Sequence, residues 1–391
     1  MATDIPLDTW PEIFVRLPAK SLLRCRAVSK AWRAFIDDRC FVRAYTKRQL
    51  TCKTSTNIII YTSAGPPFPP LFSLNLDSLN FDGSSQQTVA VTPLDFTPPG
   101  DRFAFPVAAC DGLMLIAPQK RKQKWQIWNP STQESLDLPR PGFDSLKPQA
   151  TGQRYDKLTD DYKAVVIDFH SLHSRTHVYS LKSDSWRTIT NVPGQRRRGP
   201  LGTGVFMCGS LNWIHNLSRT RDYVTIIALD LGTETYCELK VQVPGLPFRN
   251  FKMIQKRSLN VLDSGRLIMS DCVVTNDNKL RNFDVWVMRD YEADDSWSRC
   301  LSVDSCNVLY DLRYLAFLEE RLQFFLQTHQ GFYLHDVRTS SAKRLDIKGH
   351  SGFLSAQVVP ESIFRLHDNC GVRGRKRIVM DRVQMSEYEK E

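Results

Sequence analysis

The chain has 391 residues, 42% apolar and 24% charged, enough for one small module plus a large domain, or two to three ordinary domains, each with a buried core. Ten cysteines occur singly without C-x-x-C spacing, no signal peptide is expected from MATDIPLD, Ala2 stands where N-myristoylation would need glycine, and no apolar run approaches the ~20 residues a membrane span needs. The expected setting is the cytoplasm, the nucleus or both, with reduced thiols and no membrane insertion, and the net charge of +10 admits nucleic acid or an acidic protein as partner.

From the start of the chain, Leu7, Trp10, Ile13, Phe14 and Leu17 recur at steps of three and four, the period of one helical face. Pro11 falls in the first turn, where a missing N–H costs little, and Pro18 ends this helix and opens the next. Leu22 and Leu23 belong to a separate short helix. Val28, Trp32, Phe35 and Ile36 then share one face of a third, with Arg26, Lys30 and Arg33 opposite. So short a module buries little surface by itself, so either the rest of the chain or a partner protein must complete its core. Periodicity alone also admits a helical cap or a basic helix-turn-helix.

The stretch IPLDTWPEIFVRLPAKSLLRCRAVSKAWRAFIDDRCF resembles an F-box, the adaptor-binding module of SCF-type ubiquitin ligases. The resemblance is carried by Pro6 and Asp8, Ile13-Phe14, Leu17-Pro18, Ser21-Leu22-Leu23, Val28-Ser29-Lys30, Trp32-Arg33 and Phe41, with Ile5 and Pro11 as departures. It implies a module of three short helices over residues 1–46. Its surface would dock a Skp-type adaptor, and through it a cullin, with Trp32 in the core rather than at the contact. The adaptor-binding residues so implied are Pro6, Leu7, Ile13, Leu17, Pro18, Leu22, Leu23 and Val28. Leu17, Pro18, Leu22 and Leu23 form the expected centre, as apolar residues in a module too small to bury them.

After Tyr45 the helical period is lost and alternation bounded by turn residues begins. One element, an apolar strand, a turn and a shorter strand, recurs at Phe72, Trp128, Tyr179, Leu229, Trp286 and His335, about 50 residues apart. That period with about four strands per repeat predicts an all-β, kelch-like β-propeller of six blades over residues 47–365. In the first blade NIIIYT already behaves as a second strand. GFLSAQVVPESIF, Gly352 to Phe364, is left over and is expected to close the ring by completing that blade. Residues 366–391 read as a basic, then charged, flexible tail.

This region also resembles the F-box-associated domain of a large plant family, through CDGLMLI, IWNPST, LTDDYKAVVI, HVYSLKSDSWRTI, GTGVFMCGSLNWI and VWVMRDYEADDSW in the family's order. The resemblance implies a substrate receptor: one end binds adaptor, the other binds a target protein, and ubiquitin transfer becomes a high-effective-concentration event without bond chemistry by the receptor. The alternatives are a nucleic-acid-binding propeller using its basic loops, and a propeller enzyme with an unrecognised site.

No catalytic set, cofactor motif or metal set stands out. His170, His173 and His177 read as residues of a solvated loop, Gly-x-Gly in GTGVFMCG opens no helix, and the tryptophans at blade positions read as core. Charge suggests where a target would bind. Loops joining second to third strands, and one blade to the next, contain Lys120, Arg121 and Lys122, Arg196, Arg197 and Arg198, Arg219 and Arg221. The opposite turns contain Asp111, Asp160, Asp161, Asp184, Glu234, Asp294 and Asp295 among other acids. The expected partner is thus a protein with an acidic segment held on a basic face, with nucleic acid less favoured.

Overall fold

The computed structural model describes residues 9–52, 56–62, 71–75, 79, 86–94, 104–118, 124–142, 150–170, 173–189, 202–215, 223–242, 253–262, 265–275, 280–291, 296–304, 313–318, 322–328, 331–348 and 354–369. Among these residues, helices α1 (Trp10–Phe14), α2 (Ala19–Cys25), α3 (Lys30–Ile36) and α4 (Arg39–Cys52) precede 26 strands, and α5 (Leu366–Asn369) follows them. Pro11 lies in the first turn of α1 and Pro18 is the N-cap of α2. Ser29 caps α3, its Oγ accepting the Trp32 N–H at 3.1 Å. Asp38 opens α4 by accepting the N–H groups of Cys40 and Phe41.

Two expectations about the helical module need correction. Val28 precedes α3 and is 67% exposed, so it does not share the buried face of Trp32, Phe35 and Ile36. Helix does not stop near Tyr45 but runs on to Cys52. The inward stripe of α4 continues from Phe41 and Tyr45 to Gln49, a buried polar residue that hides the apolar period. Phe14, Trp32, Phe35, Phe41 and Tyr45 interlock at the centre, with Phe14 edge-on to Trp32 at 5.0 Å between centroids.

Among the described residues the strands form six blades, each with four antiparallel strands, and two of them carry a fifth strand paired in parallel. The chain closes as expected: Leu354–Pro360 pairs with Thr56–Thr62, Ala356 opposite Ile60, and becomes the innermost strand of blade 1. A second latch was not legible. Gln86–Val89 leaves blade 1 and pairs in parallel with Ser341–Ile347, adding an outer strand to blade 6. The first and last blades are therefore stitched in both directions, and two sheet edges are covered.

The repeated sequence element has a local cause. At the end of the third strand, Asn129, Asp230 and Asp336 each accept, through one side-chain oxygen, the N–H groups two and three residues on. In blade 3 the Ser180 hydroxyl accepts the Ser183 N–H. Four residues after each of these, Gln133, Asp184, Glu234 and Ser340 adopt positive φ between 49° and 58°. Between first and second strands, Asp111-Gly112 and Cys208-Gly209 form two-residue turns with positive φ at both positions, the geometry that suits a twisted hairpin.

The core lies between blades. Trp128, Trp213, Trp286 and Trp297 are buried and Trp186 is half-buried, as expected of blade residues. The Trp213 indole wedges against two backbones: a Cβ at Gly204 would lie 2.4 Å from its Cε2, and one at Gly152 would lie 2.9 Å from Leu211 beside it. The expectation of a solvated histidine loop fails at His177. His170 and His173 are strand partners across a hairpin, and His177 is buried, with its Nε2 3.2 Å from Asp168 and Nδ1 3.0 Å from the Thr188 hydroxyl. Alternation brought His177 to the inner face of a strand, where Asp168 and Thr188 satisfy both ring nitrogens.

Candidate functional site

Of the eight residues expected at the adaptor surface, Pro6 and Leu7 lie outside the described residues. Ile13 is 42% exposed, Val28 67% exposed and Pro18 exposed, while Leu17 and Leu23 are half-buried. Leu22 is fully buried, packed with Phe14, Ala19, Ile36, Phe41 and Tyr45, so it cannot be a surface anchor as expected. The premise of a module too small to bury its leucines fails because the module does not stand alone. Ile363, from beyond the closing strand, enters the same cluster and is 2% exposed.

The seam between helices and propeller is built largely by residues 361–366, whose side chains alternate. Glu361 and Ile363 point to the helices. Glu361 Oε2 accepts the Ala19 N–H at 2.7 Å and the Tyr45 hydroxyl at 3.2 Å. Pro18 has no side-chain oxygen to cap α2, so this distant carboxylate satisfies an N–H the helix leaves open. Burial, and then the neighbouring Glu361 charge, push the Tyr45 phenol far above its usual range, so it stays a donor.

Ser362, Phe364 and Leu366 point to the propeller. The Asn129 amide donates to the Ser362 and Phe364 carbonyls at 3.1 and 2.8 Å, and the Ser362 N–H donates to Ser131 Oγ. Glu134 accepts the Leu366 N–H at 3.0 Å and pairs with Arg365 at 2.5 Å. Phe364 stands edge-on to Tyr162 at 4.7 Å. Ser362 passes so close over the first turn of blade 2 that a Cβ on Gly112 would lie 2.3 Å from its Cβ.

A second attachment lies on blade 3. Arg39 and Arg43 of α4 both pair with Asp160, and Arg43 also lies over the Tyr155 ring, 5.5 Å from its centroid. The Tyr155 hydroxyl donates to Asp160 at 2.5 Å. That hydrogen bond first, with Arg43 and Arg39 adding to it, holds the Asp160 carboxyl below its usual range. Burial and the Asp160 contact push the Tyr155 phenol up to about 12.

The helices therefore sit on the side where first-to-second and third-to-fourth turns emerge, the side expected to be acidic. The acids there have local causes. Of the acids expected there, five are described, and four of these, Asp111, Asp160, Asp184 and Glu234, occupy positive-φ turn positions, a conformation that Asp tolerates better than most side chains. Each also has an internal partner: Tyr162 for Asp111, Tyr179 for Asp184, Arg187 for Glu234, and Ser180 and the Lys182 N–H for Asp161. Turn geometry thus gives a local reason for these four acids. Lys120, Arg121, Lys122, Arg196, Arg197, Arg198, Arg219 and Arg221, the expected target contacts, all lie outside the described residues, as do Asp294 and Asp295.

The seam residues Glu361, Ile363, Asn129, Glu134, Asp160 and Arg43 escaped sequence reasoning. Asn129 sits in the quoted IWNPST motif, and only the fold shows that its amide reaches across more than two hundred positions to the Ser362 carbonyl. Among the described residues no group of three or more His, Cys, Asp or Glu side chains could hold a metal ion. No helix among them is long and apolar enough to cross a membrane. The buried Lys163–Asp156 pair at 2.6 Å, with Lys163 also donating to the Leu231 carbonyl, ties blade 3 to blade 4.

Helices of this kind seated on a six-bladed ring define an F-box followed by a propeller. Residues 3–43 match the F-box domain and residues 71–361 match the F-box associated beta propeller domain. The F-box protein CPR1 of Arabidopsis thaliana is 27% identical over 398 residues, covering 93% of this chain and 89% of that protein. The F-box/kelch-repeat protein At3g23880 of the same plant is 27% identical over 344 residues, covering 85% and 88%. A solved Lactobacillus plantarum protein aligns with a TM-score of 0.41 at 11% identity, over 79% of this chain and 98% of that one. The chain belongs to the plant F-box proteins that carry an F-box-associated propeller. That pairing of modules supports a substrate-recognition role in SCF-type complexes in general.

Proposed function

We propose that the protein is the target receptor of a Skp-adaptor/cullin ubiquitin ligase, non-catalytic itself, working in the cytoplasm, the nucleus or both. One observation carries this reading. The helical core is completed from within the chain by Ile363, yet Ile13, Pro18 and Val28 stay exposed, with Leu17 and Leu23 half-covered beside them. Apolar side chains left open after the module has found its intramolecular partner are available to another protein. An adaptor interface of ordinary size would bury about 1,600 Å² in total, with a few anchors supplying most of the energy. The propeller would hold a target protein near the ubiquitin-loading end of the complex, where proximity replaces bond chemistry.

Titration of the full chain with a recombinant Skp-type adaptor tests the reading. A saturable one-to-one complex supports it. No complex, together with a steep salt-dependent affinity for arbitrary DNA, would replace it with a nucleic-acid-binding role. For the target end, Lys120, Arg121, Lys122, Arg196, Arg197, Arg198, Arg219 and Arg221 are proposed to attract an acidic protein segment. Reversing Arg196, Arg197 and Arg198 to Glu should slow capture of a target identified by proximity labelling, and leave adaptor binding intact.

A further inference from the structure

The last described segment of the chain links the helical core to blades 2 and 3. Glu361 joins the start of α2 to Tyr45 of α4 through one oxygen. Ile363 is buried in the helical core cluster, to which all four helices contribute. Between and after them, Ser362, Phe364, Arg365 and Leu366 are tied to Asn129, Ser131, Tyr162 and Glu134 of blades 2 and 3. The segment follows directly on Leu354–Pro360, the strand that closes the ring. One continuous run thus completes blade 1 and then grips the helices, while Asp160 grips α4 at a separate point. Two attachments on different blades resist rotation of the module as well as its departure.

We propose that residues 361–366 fix the orientation of the F-box on the propeller, with Glu361 as the positioning residue. The consequence for function rests on the receptor reading: a fixed orientation sets which lysines of a bound target come within reach of the transferred ubiquitin. The geometric claim does not depend on that reading. Glu361 meets the adaptor module at the N–H of the buried Ala19, the residue that follows Pro18. Adaptor affinity and module orientation are read by separate measurements.

The test uses the full chain, with fluorophores placed by bioorthogonal chemistry at Ala34 of α3 and Thr233 of blade 4, both exposed. Single-molecule energy transfer should give one narrow distance in the parent chain. Glu361→Ala and Ile363→Ala should each broaden it. Glu361→Gln should restore the narrow distribution, because its amide oxygen can still accept from Ala19 and Tyr45. Affinity for a recombinant Skp-type adaptor should change by less than about tenfold in all three. A distribution that stays narrow in both alanine variants overturns the proposal, and so does a lowered melting temperature without broadening, which would make the contacts stabilising only. A parent chain that fails to bind adaptor refutes the receptor reading instead and leaves the distance result standing.

Discussion

Changing Ile13 and Val28 together to Asp should separate adaptor binding from folding, which Leu22→Asp cannot do. Leu22 is fully buried. Truncating such a side chain costs about 2–5 kcal/mol, and a buried unpaired carboxylate costs several more. The sum rivals the total stability of a domain, about 5–15 kcal/mol, so Leu22→Asp should unfold the helices and lose adaptor for that reason alone. Ile13 and Val28 are 42% and 67% exposed, where substitutions move stability by about 0.5 kcal/mol or less. If either is an interface anchor, its loss costs about 2 kcal/mol, roughly thirtyfold in Kd, and a charge facing an apolar partner adds to this. Calorimetric titration with recombinant adaptor reads the affinity, and thermal unfolding followed by circular dichroism reads the fold. An Ile13→Asp/Val28→Asp variant that melts like the parent and binds adaptor with undiminished affinity would refute the assignment of this surface.

Three further outcomes are expected. A chain ending after residue 350 loses the closing strand and Ile363, and should aggregate, whereas one ending after Val372 should stay soluble with the parent melt; a soluble, undiminished shorter chain would place the closure elsewhere. Gly112→Ala meets both a φ of +82° and Ser362 Cβ at 2.3 Å, so it should destabilise by about 2–4 kcal/mol in chemical denaturation, and an unchanged midpoint would contradict the close crossing. Asp160 is depressed in the folded state, so its contribution is present above the unfolded pKa of about 4 and is lost as pH falls through the lower folded value. Asp160→Asn should therefore melt below the parent at neutral pH and converge with it in acid; a gap that persists unchanged through acid would mean that the carboxylate charge is not what α4 binds.

Local rules sufficed for much of this molecule. Helical spacing placed α1 to α3, Pro18 marked the break between two of them, and strand alternation with a turn every fifty or so residues foretold six blades. Even the closing strand was legible, because an unpaired NIIIYT at one end and a spare strand at the other could satisfy each other. These features follow from side-chain period and backbone turn chemistry, which act over a few residues and leave their pattern in the chain. The burial of Leu22 and His177 was not legible, since a period names a face but not what covers it. Nor was α4 beyond Tyr45, where Gln49 holds an inward position without an apolar signal. The acid-rich turns have a local cause of their own: acids fill four of the eight non-glycine positive-φ positions among the described residues. Above all, Glu361 reaches Ala19 across almost the whole length of the chain, and no local pattern encodes a hydrogen bond between residues that only ring closure brings together. The sequence by itself determined the two modules; only the closed tertiary structure decided that the second completes the core of the first.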